Sequence, residues 1–245
     1  MRQKIRNTII FIVFLSFPVI LNYFSPYISM NGAFEGIISG SLLLFGILFV
    51  SSLLIGRAFC GWTCPVGCFQ DICARINNKR RPKHHWIKYL VWTPWFIFIV
   101  FGFVRAGGIK KIHPLYMTEN GISVSDPMQF VTYFTVLFVF LILALAAGRH
   151  AFCHYGCWIA PFMIFGRKTR NAIGWHSLQL QANPESCIDC KTCTKNCPMS
   201  IDVWHQVKTA DMEHGDCILC GQCADNCKQG VIGYAFGSRK SSQKN

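Results

Sequence analysis

The sequence is poor in charge: only 14% of its 245 residues are Asp, Glu, Lys or Arg, whereas 52% are hydrophobic. A soluble domain carries roughly a quarter charged residues. The deficit comes from charge-free runs of about the length that crosses a bilayer as a helix, roughly 20 residues. We therefore predict a mainly α membrane protein with four transmembrane helices near residues 8–26, 36–55, 87–104 and 128–147.

The N-terminal apolar run lacks the small-residue cleavage site of a signal peptide, so we expect it to remain as an anchor. The short connections carry fourteen Lys and Arg on one side of the predicted membrane and three on the other. The positive-inside rule then predicts a multi-pass protein of the cytoplasmic (inner) membrane with both termini in the cytoplasm. The net charge of +13 lies mainly in residues 1–170, which indicates contact with anionic lipid rather than nucleic acid.

The cytoplasm keeps thiols reduced, so the 14 cysteines are expected to be metal ligands or free thiols rather than disulfides. Eight of them form two C-x2-C-x2-C-x3-C runs, CIDCKTCTKNCP and CILCGQCADNCK. This spacing is typical of ferredoxins with two [4Fe–4S] clusters, in which the fourth cysteine of each run binds the other cluster. The first cluster is predicted at Cys187, Cys190, Cys193 and Cys227, and the second at Cys217, Cys220, Cys223 and Cys197. A zinc ribbon is the competing interpretation.

A second cysteine pattern occurs twice, as GRAFCGWTCP from Gly56 and GRHAFCHYGC from Gly148. Each copy follows a predicted helix, which indicates two repeated helical hairpins. The C-x3-C spacing is expected to place both sulfurs on one face of a helical turn. Together the copies offer four thiolates, enough for a third iron–sulfur cluster or another thiophilic metal: Cys60, Cys64, Cys153 and Cys157. Packing of small side chains and thiol redox chemistry remain alternatives.

The remaining candidates are weaker. Packing is the favoured interpretation of Cys68 and Cys73, and lipid contact that of His84 and His85. Metal or haem ligation by His150 and His154 is weighed against a role as hydrogen-bonded surface residues. On the far side of the membrane, four ionisable residues can bind a quinone headgroup or handle its protons, or simply lie in solvated loops: Glu35, His113, Glu119 and Asp126.

The chain resembles the NapH family, and the related NosR and CcoG groups, over nearly its whole length. The resemblance is carried by four membrane helices, by the two C-x3-C elements (Cys60-x3-Cys64-Pro65 above all) and by the eight C-terminal cysteines. It departs from the family at Cys157-Trp158 and Cys227-Lys228, where proline is usual. The resemblance implies ferredoxin-type membrane subunits of a quinol dehydrogenase, which pass electrons between quinol and a redox partner.

We therefore expect a four-helix transmembrane domain at 1–170, a linker at 171–182, a small α+β ferredoxin-like domain at 183–236 and a disordered tail at 237–245. The expected function is iron–sulfur electron transfer between a cytoplasmic redox partner and the membrane quinone pool or a membrane or periplasmic oxidoreductase. The alternatives are a protein that handles copper or iron for reduction or assembly, and a redox sensor. The expected partners are membrane lipid and redox subunits.

Overall fold

The computed structural model describes residues 1–80 and 86–238, and within them the chain is mainly helical. The described residues of the membrane part contain ten α-helices, one 3-10 helix (Leu21–Phe24) and two short strands: α1 Arg2–Leu15, α2 Phe17–Ile20, α3 Pro26–Glu35, β1 Ile37–Ser39, α4 Gly40–Ile55, α5 Ala58–Trp62, α6 Pro65–Cys73, α7 Ile87–Arg105, β2 Lys111–His113, α8 Pro127–Ala147, α9 Ala151–Tyr155 and α10 Ile159–Ile173. The C-terminal part, called the head below, contains β3 Ser177–Ala182, α11 Thr192–Lys195, α12 Val203–Lys208, α13 Gln222–Asp225 and β4 Ile232–Gly237.

In the part of the chain that the structure describes, two helices are long and apolar enough to cross a membrane, Ile87–Arg105 and Pro127–Ala147. A third span results if Arg2–Leu15 and Phe17–Phe24 are counted together, although they meet at 59°. Pro18 lies just after this break, and a proline removes the backbone donor that would continue the helix. The predicted span 36–55 is shorter than expected, because residues 37–39 form β1 and α4 has 16 residues. Four spans therefore remain a prediction.

The segment 171–182, which we expected to be a linker, contains the end of α10 and all of β3. β3 pairs antiparallel with β4, from Ser177 opposite Gly237 to Ala182 opposite Ile232. The reason is visible in the sequence SLQLQA, whose alternation of apolar and polar residues is the pattern of a half-buried strand. Of the expected tail, Gly237 ends β4, and 239–245 lie outside the described residues.

The membrane part and the head each have a hydrophobic core. The first is rich in aromatic side chains, such as Phe45, Trp95 and Phe140. The second consists of aliphatic residues, methionines and cysteines around Met199 and Val207. Helices α4 and α10 approach so closely that a Cβ on Gly166 would lie 1.9 Å from Ser52 Oγ. This crossing anchors α10, the helix from which the chain enters the head.

Candidate functional site

The eight cysteines of the head line two separate cavities. One is lined by Cys187, Cys190, Cys193 and Cys227, and the other by Cys217, Cys220, Cys223 and Cys197. Each cavity thus takes three cysteines from one run and the fourth from the other run. This grouping is the one predicted from the spacing, and ligation itself stays a prediction.

The arrangement of the thiols favours a bulky cluster over a single ion. A tetrahedral zinc site needs its sulfurs at about 2.3 Å from one point. Within residues 1–80 and 86–238, no three His, Cys, Asp or Glu side chains are grouped closely enough to hold one metal ion. Thiols set around a cavity instead fit a cubane, which each cysteine contacts at a different iron.

The two head cavities differ in depth. Cys190 is exposed, whereas Cys197, Cys220 and Cys223 are buried. Burial raises the pKa of Cys197 to about 11 and that of Cys220 to about 12. Such thiols ionise at neutral pH only when a cation takes the place of the proton, and the irons of a cluster do this. The second cavity therefore suits a shielded cluster, and the first suits one near solvent.

The C-x3-C elements do not form single helical turns, so the expected placement of both sulfurs on one helical face is wrong. Cys60 and Cys153 lie in the five-residue helices α5 and α9, and each helix ends before the second cysteine of its pair. Cys64 has an extended backbone, because the residue before a proline is driven out of the helical region. The second cysteine instead lies at the start of the following helix.

This position gives the second sulfur of each pair the same partners. The Cys64 thiol accepts hydrogen bonds from the backbone N–H groups of Val66 and Gly67, two and three residues further on. Cys157 receives the same two bonds from Ile159 and Ala160. Burial raises the pKa of both thiols, and these amides, which stabilise negative charge at a helix N-terminus, act in the opposite direction. Sequence spacing alone did not reveal this feature.

The structure brings the four cysteines of the two elements together. Cys60, Cys64, Cys153 and Cys157 line one cavity of about 470 Å³. Burial and the neighbouring thiols raise the pKa of Cys64 and Cys153, so these groups ionise together only around a cation.

The Arg57 guanidinium lies in the wall of the same cavity and is 1% exposed. Its Nε has no hydrogen-bond partner among the described residues. A buried donor without a partner costs about 1–3 kcal/mol, and an anionic thiolate-bound cluster at these four cysteines would supply the missing acceptor. The residues therefore fit such a cluster.

The head approaches the first element closely. A Cβ on Gly61 would lie 2.3 Å from the carbonyl oxygen of Ile218, so only glycine fits between Cys60 and Trp62 at this point. Trp62 Nε1 donates to the Leu219 carbonyl oxygen at 3.0 Å. Ile218 lines both the second head cavity and the large cavity of the membrane part. The two cavities thus adjoin at this residue.

Buried ion pairs hold this contact. Asp216 lies between Arg57, whose Nη1 is 3.4 Å from Oδ1, and the ammonium group of Lys88. Burial alone would raise the pKa of Asp216, but the positive charges of Arg57 and Lys88 outweigh it and hold that pKa well below its usual value. Arg167 Nε donates to Glu213 Oε1 at 2.7 Å. Basic residues that we interpreted as lipid contacts are therefore partly partners of the head.

The second G-R arginine also contacts the head. Arg149 Nη1 donates to the carbonyl oxygens of Lys195 at 3.0 Å and of Cys197 at 3.3 Å. Arg57 correspondingly donates to Gly215, at 3.0 Å. Each arginine of the repeated motif thus binds backbone next to a cysteine of the second head cavity.

His150 and His154 are both buried, so their interpretation as surface residues is wrong. His150 Nε2 lies 2.8 Å from Asp71 Oδ1, and Arg6 Nη2 donates to the other carboxylate oxygen at 2.6 Å. These contacts join helices α1 and α6 to the turn before α9. No sequence signal connected Asp71 to this site, because its partners are distant in the chain.

The other candidates lie elsewhere. Cys68 and Cys73 are buried in α6 and line none of the three cavities. His84 and His85 lie outside the described residues. None of the four ionisable residues of the far-side loops lines the large cavity: Glu35, His113, Glu119 and Asp126. Asp126 instead caps the N-terminus of α8. The structure gives these four no common site.

Comparison with known proteins identifies the class. The family model described as a 4Fe-4S binding domain matches residues 39–84 and 128–176, and that of a 4Fe-4S dicluster domain matches 186–232. The first pair of segments contains the C-x3-C elements, and the last contains both ferredoxin runs. The chain is an iron–sulfur electron-transfer protein with 4Fe-4S binding domains.

Its relatives specify the group. An uncharacterized protein of Methanocaldococcus jannaschii is 25% identical over 98% of this chain and 97% of its own length. YccM of Escherichia coli is 28% identical over 82% of this chain but 57% of its own length. Ferredoxin-type protein NapH of Escherichia coli is 21% identical over 84% of this chain and 72% of its own. No solved structure matches. The chain is homologous to these proteins, and the similarity to ferredoxin-type protein NapH confirms the resemblance.

Proposed function

We propose that the chain is a membrane-bound relay of three [4Fe–4S] clusters. It passes electrons between a cytoplasmic redox partner and the membrane quinone pool or a membrane or periplasmic oxidoreductase. The proposed ligands are the two groups of four cysteines in the head, and Cys60, Cys64, Cys153 and Cys157 in the membrane part.

The observation that carries the proposal is the sequence of thiol-lined cavities. The cavity with the exposed Cys190 opens towards solvent, where a soluble partner has access. The cavity of Cys217 is shielded and shares Ile218 with the cavity of the membrane thiols. Electrons can therefore move from one cluster to the next without passing through water. Backbone N–H groups at the sulfurs tune the potentials of such clusters.

A repeated architecture supports the third site. The same family model matches one segment around each C-x3-C element. Helices α4 and α8 both end at a glycine with positive φ, 57° at Gly56 and 89° at Gly148, and a five-residue helix with the first cysteine follows each. We infer two hairpins related by pseudo-symmetry, each providing two thiolates.

The membrane arrangement is part of the proposal. Four apolar segments would cross the cytoplasmic membrane, with the bent pair α1 and α2 as the first span and the short α4 as the second. The excess of Lys and Arg near the head supports a cytoplasmic location of the head and both termini. The partners then meet the head in the cytoplasm and the quinone within the bilayer.

The test is iron and sulfide quantitation on the full chain purified without oxygen in detergent. The proposal expects about twelve irons per chain, and about eight when Cys60 and Cys153 are both changed to Ser. A matched control is Cys68→Ser, which removes a buried thiol outside the cavities and should keep about twelve. EPR of the dithionite-reduced protein should lose one signal only in the double variant.

Eight irons in the unchanged protein would refute the third cluster and leave the head clusters standing. Zinc in place of iron would refute the whole proposal. Head clusters that exchange no electrons with any dye would refute the electron-transfer role.

One contact favours a second function, the handling of copper. Cys60 Sγ lies 3.5 Å from Met163 Sδ, and thiolate together with thioether is the ligand set that Cu(I) prefers. In that case the membrane thiols bind or reduce a metal for assembly, while the head clusters supply electrons. Copper that is retained by the unchanged protein and lost on Met163→Leu, with the iron content constant, would favour this function.

A further inference from the structure

The two halves of the head contain the same loop in different surroundings. The first loop is CIDC at 187–190 and the second is CILC at 217–220, so an isoleucine follows the first cysteine of each run. Ile188 lines the first head cavity and Ile218 the second. Ile218 is 3% exposed, whereas Ile188 is 61% exposed. The first loop is therefore an uncovered copy of a loop that is covered elsewhere in the same molecule.

The membrane part covers the second loop. The Ile218 carbonyl oxygen lies against Gly61, and the Leu219 carbonyl oxygen accepts from Trp62 Nε1 at 3.0 Å. This contact brings the second head cavity next to the four thiols of the membrane part. In the described part of the chain, by contrast, the side-chain hydrogen bonds and the ion pair of the first loop stay within the head. The first loop therefore offers the same kind of contact to a second protein.

The charges around the two loops have opposite signs. Residues 210–226, around the second loop, contain four carboxylates and neither Lys nor Arg. Three of these carboxylates pair with cations of the membrane part: Asp216 with Arg57 and Lys88, Glu213 with Arg167, and Asp225 with Arg2. Residues 183–209 and 227–236, which contain the first loop and line its cavity, hold three carboxylates and all four lysines of the head, which are exposed: Lys191, Lys195, Lys208 and Lys228.

Little negative charge remains beside the first loop. Asp189 pairs with Lys208 Nζ at 2.7 Å, and Asp202 caps the N-terminus of α12. Glu185 is then the carboxylate left against three lysines, two of which line the first cavity. The first loop thus has an apolar residue at its centre and an excess of positive charge at its rim.

We propose that the first loop is the docking surface for a soluble, acidic one-electron carrier, a small protein with carboxylates around its own cofactor. The proposal rests on the proposed function, which supplies the cluster in the first cavity. Ile188 would pack against the carrier, and the lysines of the rim, Lys191, Lys195 and Lys228, would pair with its carboxylates. An apolar centre with a polar rim is the usual anatomy of a protein interface. Positive charge at the rim steers an anionic partner to the cluster and orients it there.

The electron transfer balances without a proton. The cofactor of the reduced carrier loses one electron, and the oxidised [4Fe–4S] cluster of the first cavity gains it. No covalent bond forms or breaks, and the reverse transfer uses the same contact. Because Cys190 is exposed, a docked carrier would cover the edge of the cluster and bring the two cofactors close together.

The bilayer is the other negatively charged surface that could attract these lysines. Among the described residues, the first cavity shares no lining residue with the cavity of the membrane part, whereas the second shares Ile218 with it. The first loop therefore belongs to the half of the head that is not seated on the membrane part, which favours a soluble partner.

The charge of the rim is tested by binding of an oxidised plant-type [2Fe–2S] ferredoxin, the acidic probe, to the full chain purified without oxygen and held in nanodiscs of neutral lipid. The double variant Lys195→Glu, Lys228→Glu reverses two charges of the rim. The double variant Lys4→Glu, Lys168→Glu changes the net charge equally, at exposed lysines of α1 and α10. We expect at least tenfold weaker binding for the rim variant at low salt, at most a threefold loss for the control, and equal iron contents. Equal affinities of the two double variants would overturn the proposal.

The apolar centre is tested by Ile188→Ala, with Ile173→Ala at an exposed position of α10 as the matched control. Salt screens the charges of the rim but not an apolar contact. We therefore expect Ile188→Ala to weaken ferredoxin binding about threefold or more at low and at high salt, while the effect of the rim variant shrinks as salt is added. An unchanged affinity of Ile188→Ala would contradict docking on this loop.

Two further measurements separate the failures. Electron exchange between the clusters and methyl viologen reports the relay alone. If this exchange remains while the unchanged protein does not bind ferredoxin, the docking proposal falls and the relay stands. Hydrogen–deuterium exchange of 187–195 in nanodiscs of anionic and of neutral lipid reports contact with the bilayer. Slower exchange in anionic lipid, together with a ferredoxin affinity that the rim variant leaves unchanged, would assign the lysines to the membrane and overturn the proposal.

Discussion

The carboxylate of Asp216 is the part of the head contact whose removal gives the sharpest test. Asp216 is nearly fully buried and lies against two cations of the membrane part, Arg57 and Lys88. The change Asp216→Asn keeps the shape of the side chain and removes its charge. Two buried cations then face a neutral amide, and neither has water to replace the lost partner.

Breaking a buried ion pair by removal of one partner costs about 3–5 kcal/mol. At about 1.4 kcal/mol for each factor of ten, the equilibrium between the docked and the detached head should shift by two to four powers of ten. The pair Arg2–Asp225 provides a matched control, because its side chains are 35% and 28% exposed. Asp225→Asn should cost no more than about 1 kcal/mol.

The assay is hydrogen–deuterium exchange of the peptide covering 213–221, followed by mass spectrometry. Asp216→Asn should raise its exchange rate by two orders of magnitude or more, and Asp225→Asn by less than tenfold. The double variant with Lys88→Met should recover part of the loss, since it leaves one cation fewer unpaired. Equal exchange in the two single variants would refute the argument that burial gives this pair its strength.

Two further predictions concern the same contact. Gly61→Ala places a Cβ 2.3 Å from the Ile218 carbonyl oxygen. The backbone segments around Gly61 and Ile218 must then separate by about 1 Å, and we expect a loss of about 1–3 kcal/mol in the free energy of unfolding. Gly46→Ala, in α4 with nothing within 4 Å of the added Cβ, should instead raise the free energy of unfolding by about 0.5–1 kcal/mol. Thermal unfolding in detergent measures the direction of both changes. A Gly61→Ala variant that is more stable than the unchanged protein would contradict the close approach. The second prediction is a pH dependence. Because the folded pKa of Asp216 lies below its unfolded value of about 3.9, its contribution is complete above that value and is lost as the pH falls through the folded pKa. Exchange of 213–221, corrected for the intrinsic rate, should be constant from pH 5 to 8 and rise below pH 4; a rise near pH 6 would assign the contact to another group.

The sequence predicted what is encoded over short distances. The grouping of the eight head cysteines into two sets of four follows from the C-x2-C-x2-C-x3-C runs. Cysteines that are separated by only two or three residues have few other cysteines near enough to share a cluster with. The repeat around Cys60 and Cys153 was also visible, since it is written twice with the same G-R flank. The helices α7 and α8 follow from apolar composition alone.

What could not be predicted depends on partners far apart in the chain. Arg57 and Asp216 are 159 positions apart, and His150 and Asp71 are 79 positions apart. Composition marks all four as polar residues beside a membrane, for which contact with lipid or water is the ordinary expectation. In the first C-x3-C element the assumed helical face failed for a local reason, since Pro65 keeps Cys64 out of the helical region, whereas α9 ends before Cys157 without such a proline. The strand β3 was overlooked because it lies next to a helix and pairs only with the end of the chain.

The buried contact between the head and the membrane part has a consequence for how such a carrier works. Many electron carriers move a cofactor domain between donor and acceptor, and their speed depends on that swing. Here the buried Asp216 and the partly buried Glu213 pair with cations of the membrane part, so we expect the head to keep one position. In the proposed relay, a soluble partner would therefore have to come to the exposed Cys190 end of a head that keeps its position.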